Sequence, residues 1–207
     1  MSKPGRLIVF EGTDGCGKST HVHLLKGSLS ALGYPVVATR EPTDGTYGRR
    51  IRALYSDRSA CTADEELELF LADRREHVSH LLEPALAEGK IVLCDRYFLS
   101  TAAYQGARGH DPEDILRRNH FAPDPDLALL FQLPLDLSLQ RITSGRGQRP
   151  NDFEQLEELK KVAAIFAGID RPYIRKISAS GSIDTVHHRV LAEVGPLLNL
   201  AFPACGG

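Results

Sequence analysis

A short glycine-rich run near the N-terminus has the residue types and the spacing needed to bind phosphate. Residues 12–19 read Gly-Thr-Asp-Gly-Cys-Gly-Lys-Ser, which matches GxxxxGK[ST]. Glycines let consecutive backbone N–H groups turn toward phosphate oxygens, and the dipole of a following helix adds positive potential. We expect Lys18 to reach the β- and γ-phosphates of a nucleotide and Ser19 to contact Mg²⁺. The predicted nucleotide-binding residues of this loop are Gly12, Thr13, Asp14, Gly15, Cys16, Gly17, Lys18, Ser19 and Thr20.

A carboxylate follows the apolar run at residues 91–94. Asp95 comes directly after this run, and ligands of open α/β sheets bind at the carboxyl ends of the strands. We therefore predict that Asp95 and Ser19 together hold Mg²⁺ and its waters. The alternative is that Asp95 is the N-cap of a helix beginning near Tyr97. The adjacent charge of Arg96 favours the functional interpretation.

The elements that must position these residues alternate along the chain. Short apolar runs predict strands at residues 7–10, 35–39, 91–94, 127–131 and, weakly, 176–179. Apolar residues at helical spacing predict helices at residues 19–32, 65–88 with a bend at Pro84, about 135–144, 153–175 and 184–200, with another beginning near Tyr97. Strands separated by helices predict an α/β protein with a five-stranded parallel sheet between two helical layers.

Composition limits the class of protein. The chain has 207 residues, 42% of them hydrophobic and 25% charged, with a formal net charge of -2. These values are typical of a globular protein and exclude a disordered, collagen-like or disulfide-stapled chain. They also disfavour a nucleic-acid binder. We predict one domain over residues 1–207, with a lid at the polar, glycine-rich stretch of about 144–154.

The cysteines and the N-terminus suggest a location. Cys16, Cys61, Cys94 and Cys205 form no CxxC pair, which argues against a zinc or redox site and fits a reducing compartment. The apolar run at residues 7–10 is too short for a signal peptide or a membrane span. We therefore expect a cytoplasmic protein without a membrane anchor. The histidines show no spacing typical of metal ligands, and we expect them at the surface.

Arginines distinguish a kinase from a nucleotide switch. The chain has neither the NKxD segment nor the DxxG element of a GTPase. Instead, arginines are expected near the phosphate loop, and they suit a second phosphorylated substrate and a charged transition state. They are Arg40, Arg74, Arg96, Arg141, Arg146 and Arg149.

Several motifs together carry a resemblance to one family. They are residues 10–15 and 17–20, Thr39-Arg40-Glu41-Pro42, Phe70-Leu71-Ala72-Asp73-Arg74, Asp95-Arg96-Tyr97 and the run at residues 100–106. In order and spacing, over roughly residues 6–155, the chain resembles the bacterial-type thymidylate kinases (dTMP kinases). The resemblance implies the P-loop nucleoside-monophosphate kinase fold with a short lid. It also implies transfer of a phosphoryl group from ATP to dTMP, giving dTDP, and a homodimer.

The resemblance also implies roles for individual residues around the phosphate and the sugar of dTMP. Arg40 and Arg96 would hold the 5′-phosphate, and Asp14 would lie near the sugar hydroxyl. Tyr104 would stand against C2′ and exclude ribonucleotides by its bulk. Half-buried packing on a helix is the alternative role for Tyr104.

A second group of residues would bind the base. Phe70 would stack on the thymine and Arg74 would contact its edge; the alternatives are a core position for Phe70 and a surface ion pair with Asp73 or Glu76 for Arg74. The other implied substrate-binding residues are Glu41, Pro42, Ser100, Thr101 and Gln105.

The positive charge that stabilises the transition state would come from Lys18, Mg²⁺ and arginines. The phosphate loop lacks the arginine that some family members carry, so Arg146 or Arg149 of the lid would supply it, and Arg141 would contact ATP. The lid reads Asn151-Asp152-Phe153-Glu154, where the family usually has Asp-Arg-Phe-Glu.

Two other functions remain open. One is a related P-loop kinase that acts on another small phosphate acceptor or on a deoxynucleoside. A deoxynucleoside would need a carboxylate base, for which Glu41 is available. A regulatory protein that binds nucleotide without turnover would account for the altered lid.

Overall fold

A five-stranded sheet forms the centre of the molecule. The computed structural model describes residues 4–56, 60–138 and 152–202. The strands are β1 (Arg6–Gly12), β2 (Val36–Arg40), β3 (Ile91–Asp95), β4 (Leu127–Gln132) and β5 (Ile174–Ser178). Their order in the sheet is β2-β3-β1-β4-β5, and all neighbouring strands are parallel. The predicted sheet is confirmed.

Helices cover both faces of this sheet. They are α1 (Lys18–Ala31), α2 (Thr46–Leu54), α3 (Ala63–His77), α4 (Glu83–Ala87), α5 (Phe98–Ala107), α6 (Pro112–Arg118), α7 (Asp152–Gly168) and α8 (Ile183–Leu198). A π-helical turn, Val78–Leu82, joins α3 to α4. Within the described ranges, no helix is both long enough and apolar enough to cross a membrane.

Alternating side chains of the strands form two separate cores. Leu7 and Val9 of β1 point to one side, where they pack with α3, α5 and α7. Ile8 and Phe10 point to the other side, where they pack with α1 and α8. Because a strand in such a sheet is buried on both faces, its sequence is continuously apolar, as the run at residues 7–10 shows.

The helix boundaries differ from the prediction in two places. The predicted helix at 153–175 ends at Gly168, and β5 begins at Ile174. Pro172 explains the early end, because a proline disfavours helical backbone at the residue before it. The predicted bend at Pro84 appears as the π-helical turn just before it. Pro84 has no N–H and its ring crowds the preceding turn, so the regular hydrogen-bond pattern is interrupted there.

Two helices and two histidines were not foreseen. Neither α2 nor α6 was predicted, although Tyr47, Ile51 and Leu54 of α2 stand at helical spacing and Asp111 caps α6. The prediction that the histidines lie at the surface is wrong for His21 and His77, which are buried. His21 stacks on Phe131, and His77 lies below the predicted site.

Candidate active site

The glycine-rich loop curls over the carboxyl end of β1. Gly12 and Gly17 have φ angles of 132° and 95°, in the region that favours glycine. A side chain at Gly12 would lie 2.5 Å from the carbonyl oxygen of Phe131, so close packing against β4 also requires glycine there. Lys18 begins α1 and is buried, and its Nζ donates to the carbonyl oxygens of Gly12 (3.1 Å) and Thr13 (2.8 Å). The sequence motif therefore forms a closed loop with its lysine inside.

Two oxygen atoms that could bind a metal ion lie next to each other beside this loop. The hydroxyl of Ser19 donates to Oδ2 of Asp95. Asp95 ends β3, whereas Tyr97 occupies the N-cap position of α5, so Asp95 is not the helix cap. Hydroxyl and carboxylate oxygens are the ligands that Mg²⁺ prefers. The pair therefore fits a magnesium ion coordinated by a nucleotide in the loop.

Arg96 is held in an unusual backbone conformation. Its φ angle is 70°, which is uncommon for a residue with a side chain and persists where surrounding contacts compensate the strain. Its N–H donates to the carbonyl oxygen of Phe10 at 2.9 Å. Its guanidinium donates to Ser100 Oγ at 3.0 Å and to Asp14 Oδ1 at 2.5 Å, and lies over the ring of Tyr104. Arg96 thus points toward the phosphate loop from the neighbouring strand end.

A buried carboxylate that the sequence analysis left without a role supports Arg96. Oε1 of Glu11 accepts the Tyr97 N–H at 2.9 Å, and its Oε2 accepts the Ser100 hydroxyl. Burial raises the pKa of Glu11 to about 7, although Ser100 and Arg96 act in the opposite direction. The signal available in the sequence was a charged residue, Glu11, directly after the apolar run at residues 7–10. Glu11 fixes the backbone after Arg96 and the hydroxyl that accepts from its guanidinium.

Asp14 and Tyr104 form the wall next to Arg96. The Asp14 N–H donates to the Tyr104 hydroxyl at 3.1 Å. Burial raises the pKa of Asp14, but the charges of Arg96 and Lys18 outweigh it, so its pKa is lowered. Tyr104 is half-buried and faces the cavity. Asp14 is therefore an acceptor and not a proton donor at neutral pH.

Arg74 lies at the floor of the cavity and is 1% exposed. Its guanidinium donates to Glu41 Oε2 at 2.5 Å, Asn119 Oδ1 at 2.6 Å and Thr101 Oγ1 at 3.0 Å. The surface ion pair considered for Arg74 is therefore wrong. Asp73, its suggested partner, instead accepts from the Thr43 N–H and hydroxyl.

Glu41 is committed to this buried network. Burial raises the pKa of Glu41, but Arg74 and the hydrogen bond from His77 outweigh it, so the pKa is lowered. A carboxylate with a lowered pKa is a weak base. This arrangement disfavours the nucleoside kinase in which Glu41 removes a proton. The Glu41–Pro42 peptide bond is cis.

Two further predicted residues are at the rim. Arg40 ends β2, is exposed and donates to Asp44 Oδ1 at 2.8 Å. Phe70 is half-buried, lines the cavity and belongs to neither hydrophobic core. The alternative that Phe70 is a core residue is therefore wrong.

A cavity of about 920 Å³ joins these groups, which is the size of a typical ligand site. The predicted site residues along its wall are Asp14, Gly15, Gly17, Lys18, Ser19, Thr20, Arg40, Glu41, Pro42, Phe70, Arg74, Asp95, Arg96, Ser100, Thr101, Tyr104 and Gln105. Arg141, Arg146, Arg149 and residues 144–151 of the predicted lid lie outside the described residues.

Glu66 and Arg108 also line the cavity, and the sequence analysis missed both. Glu66 is buried in α3, one helical turn before Phe70 and two before Arg74. This four-residue spacing puts the three side chains on one helix face. The same spacing was the signal in the sequence that could have identified Glu66.

One cluster has the residue types of a metal site. Glu41, His77 and Cys94 each place a potential ligand atom within 4.8 Å of the others. However, Glu41 is already paired with Arg74. Burial raises the pKa of the Cys94 thiol well above its usual range, and metals bind the thiolate. The donor set therefore suits a hydrogen-bond network better than a cation.

Comparisons with known proteins agree with this geometry. A family model described as thymidylate kinase matches residues 10–190. The chain is 58% identical to a thymidylate kinase of Desulfotalea psychrophila over 97% of this chain and 99% of that protein. It is 45% identical to one of Akkermansia muciniphila, over 97% and 95% of the two chains. A crystal structure of thymidylate kinase from Ehrlichia chaffeensis superposes with a TM-score of 0.73 and 29% identity, over 92% of this chain and 99% of that one. The chain belongs to the thymidylate kinase family, whose members phosphorylate dTMP with ATP.

Proposed function

We propose that the cavity binds dTMP between Arg96 and the buried Arg74 while the glycine-rich loop presents the γ-phosphoryl group of ATP to it. The observation that carries this proposal is the position of Arg96. It reaches from the end of β3 to Asp14 and to the carbonyl oxygen of Gly12 in the loop. A guanidinium beside a triphosphate site suits an acceptor that itself carries phosphate. Arg40 is the second proposed ligand of the 5′-phosphate.

The buried polar atoms of the floor support thymine as the base. Gln105 Oε1 and Arg74 Nε are buried and have no hydrogen-bond partner in the described part of the chain. Thymine offers a donor at N3 and an acceptor at O4, and these would satisfy Gln105 Oε1 and Arg74 Nε, respectively. Phe70 supplies an aromatic plane for the ring, and Ser100, Thr101 and Tyr104 complete the wall. Tyr104 would exclude a 2′-hydroxyl by its bulk.

Phosphoryl transfer at this site needs no general base. An oxygen of the dTMP phosphate, already an anion, forms a bond to the γ-phosphorus. The bond from that phosphorus to the β–γ bridging oxygen breaks, and ADP leaves with its electron pair. Lys18 stabilises the charge on the β- and γ-phosphates, and an arginine of the lid, Arg146 or Arg149, would stabilise the transition state. Mg²⁺ held through Ser19 and Asp95 would neutralise further phosphate charge.

The resemblance and the cysteine pattern extend the proposal to the assembly and its location. We place the chain in the cytoplasm as a homodimer, with one domain and a lid at about residues 144–154. Light scattering on a size-exclusion column tests the homodimer, because a single species with the mass of one chain would contradict it.

A coupled ADP-release assay with ATP and Mg²⁺ tests the function. The acceptors are dTMP, dUMP, dCMP, dGMP, UMP, CMP and thymidine. We expect fast turnover of dTMP and poor turnover of UMP. Turnover of thymidine but not dTMP would move the assignment to a nucleoside kinase. ATP binding without turnover of any acceptor would instead indicate a regulatory protein.

A further inference from the structure

Glu66 is a buried carboxylate at the cavity wall that the proposed reaction does not use. It is 2% exposed. Its Oε2 accepts from Arg108 Nη1, and its Oε1 accepts from Gln105 Nε2 at 3.2 Å. The ion pair with Arg108 compensates the burial of the charge. Glu66 is thus anchored on one side and faces an amide on the other.

This contact decides which way the Gln105 amide points. An ionised carboxylate only accepts hydrogen bonds, whereas an amide has one donating end and one accepting end. Glu66 therefore selects the orientation in which the NH₂ group of Gln105 faces it. The other end, Oε1, is left buried without a partner among the described residues. The flipped amide would bring two acceptor oxygens together in a buried place, which is unfavourable.

The selected orientation matches one class of pyrimidine. Thymine and uracil carry an N–H donor at N3 and an acceptor at O4, which complement Gln105 Oε1 and the unpartnered Nε of Arg74. Cytosine has an acceptor at N3 and a donor at C4, so both contacts would be mismatched. A site whose buried polar groups are left unpaired by the wrong ligand discriminates strongly against it.

We propose that Glu66 is a positioning residue that sets selectivity for keto over amino pyrimidine nucleotides by orienting the Gln105 amide. This inference rests on the proposed binding of a pyrimidine monophosphate at Gln105. The competing explanation is that Glu66 serves only as the ion-pair partner of Arg108. A structural role of that kind would change turnover of all acceptors by the same factor.

The substitution Glu66→Gln separates the two explanations. It keeps the size of the side chain, but its amide oxygen would accept from Arg108, which can only donate. Its NH₂ group would then face Gln105 and favour the flipped orientation of that amide. We expect the ratio of kcat/KM for dTMP over dCMP to fall about tenfold, the factor that one net hydrogen bond is worth, with kcat/KM for dCMP itself rising. The ratio of dTMP over dUMP should stay constant, because the two bases share this edge. The KM for ATP should not change.

Glu68→Gln is the matched control. Glu68 lies on the same helix and pairs with an arginine, Arg118, but it is exposed. The same chemical change there should leave both selectivity ratios unaltered. A similar fall of the dTMP over dCMP ratio in Glu68→Gln would overturn the proposal.

A swapped pair tests the orientation directly, and its melting temperature shows whether the protein folds. In the variant Glu66→Gln with Gln105→Glu, position 105 again presents only an acceptor, and the net charge of the pair is retained. We expect the preference for dTMP over dCMP to return toward that of the unmodified chain. A folded swap variant with no recovered preference, or a single variant with an unaltered ratio, would refute the role of Glu66. An unmodified chain that does not phosphorylate dTMP would refute the proposed function instead.

Discussion

The buried carboxylate behind the phosphate loop makes stability depend on pH in a way that one substitution should remove. The pKa of Glu11 rises from 4.5 to about 7 because the side chain is buried. Between these two pH values the folded protein keeps a proton on Glu11 that the unfolded chain has lost. The free energy of unfolding therefore falls as the pH rises through this window and then levels off. At roughly 1.4 kcal/mol per pKa unit, the loss amounts to about 3 kcal/mol.

Glu11→Gln keeps the shape of the side chain but removes the titration. We expect the difference in unfolding free energy, variant minus unmodified protein, to rise by about 3 kcal/mol from about pH 4 to about pH 8. Urea denaturation followed by circular dichroism at a series of pH values measures this difference, in which the titration of all other groups cancels. Glu68→Gln, exposed on α3, should give a curve parallel to the unmodified protein. If Glu11→Gln is also parallel across the whole window, then burial does not raise the pKa of Glu11 and the reasoning is wrong.

Three further predictions concern catalysis and can be measured by steady-state kinetics. Arg96→Ala should raise the KM for dTMP about 100-fold and Arg96→Lys about tenfold, because lysine lacks the planar fork; an unchanged KM would exclude Arg96 as a phosphate ligand. Tyr104→Ala should improve kcat/KM for UMP relative to dUMP about tenfold, whereas Tyr104→Phe should not, since the ring supplies the bulk; equal rejection of UMP by both variants would contradict the steric role. Either Arg146→Ala or Arg149→Ala should lower kcat on the order of 1,000-fold; small effects of both would show that the transition-state charge is stabilised elsewhere.

The sheet and the phosphate loop were predictable because their signals are local. A run such as residues 7–10 is apolar because both faces of its strand are buried. The loop at residues 12–19 is recognisable because its glycines, lysine and serine are contiguous in the chain. Gly33 and Gly89 adopt positive φ angles just after α1 and α4, as is typical of glycines at helix C-termini.

Errors arose where a local signal was overlooked and where the tertiary structure overrides a local pattern. The helix predicted at residues 153–175 was drawn through Pro172, although the chain must turn there to add β5 to the sheet. The helix α2 is short and rich in arginine; it packs against α3, and its buried residues are Gly48, Ile51 and Leu54. His77 is polar and was assigned to the surface, yet its partners Thr39 and Glu41 allow it to be buried.

By itself, the sequence determined the strand–loop–helix unit that carries the phosphate-binding motif, the parallel sheet and the family. Each of these can be recognised from the spacing of residues that are close together in the chain. The tertiary structure alone decided which polar partner each buried carboxylate contacts. Glu41 contacts Arg74, which lies 33 residues away in the sequence. Glu66 contacts Gln105, 39 residues away, and Glu11 contacts Ser100, 89 residues away. In a parallel sheet every strand is followed by a crossover, so residues that share one edge come from distant parts of the chain. A charge can be buried only where such a distant partner compensates it, and no local pattern specifies that partner.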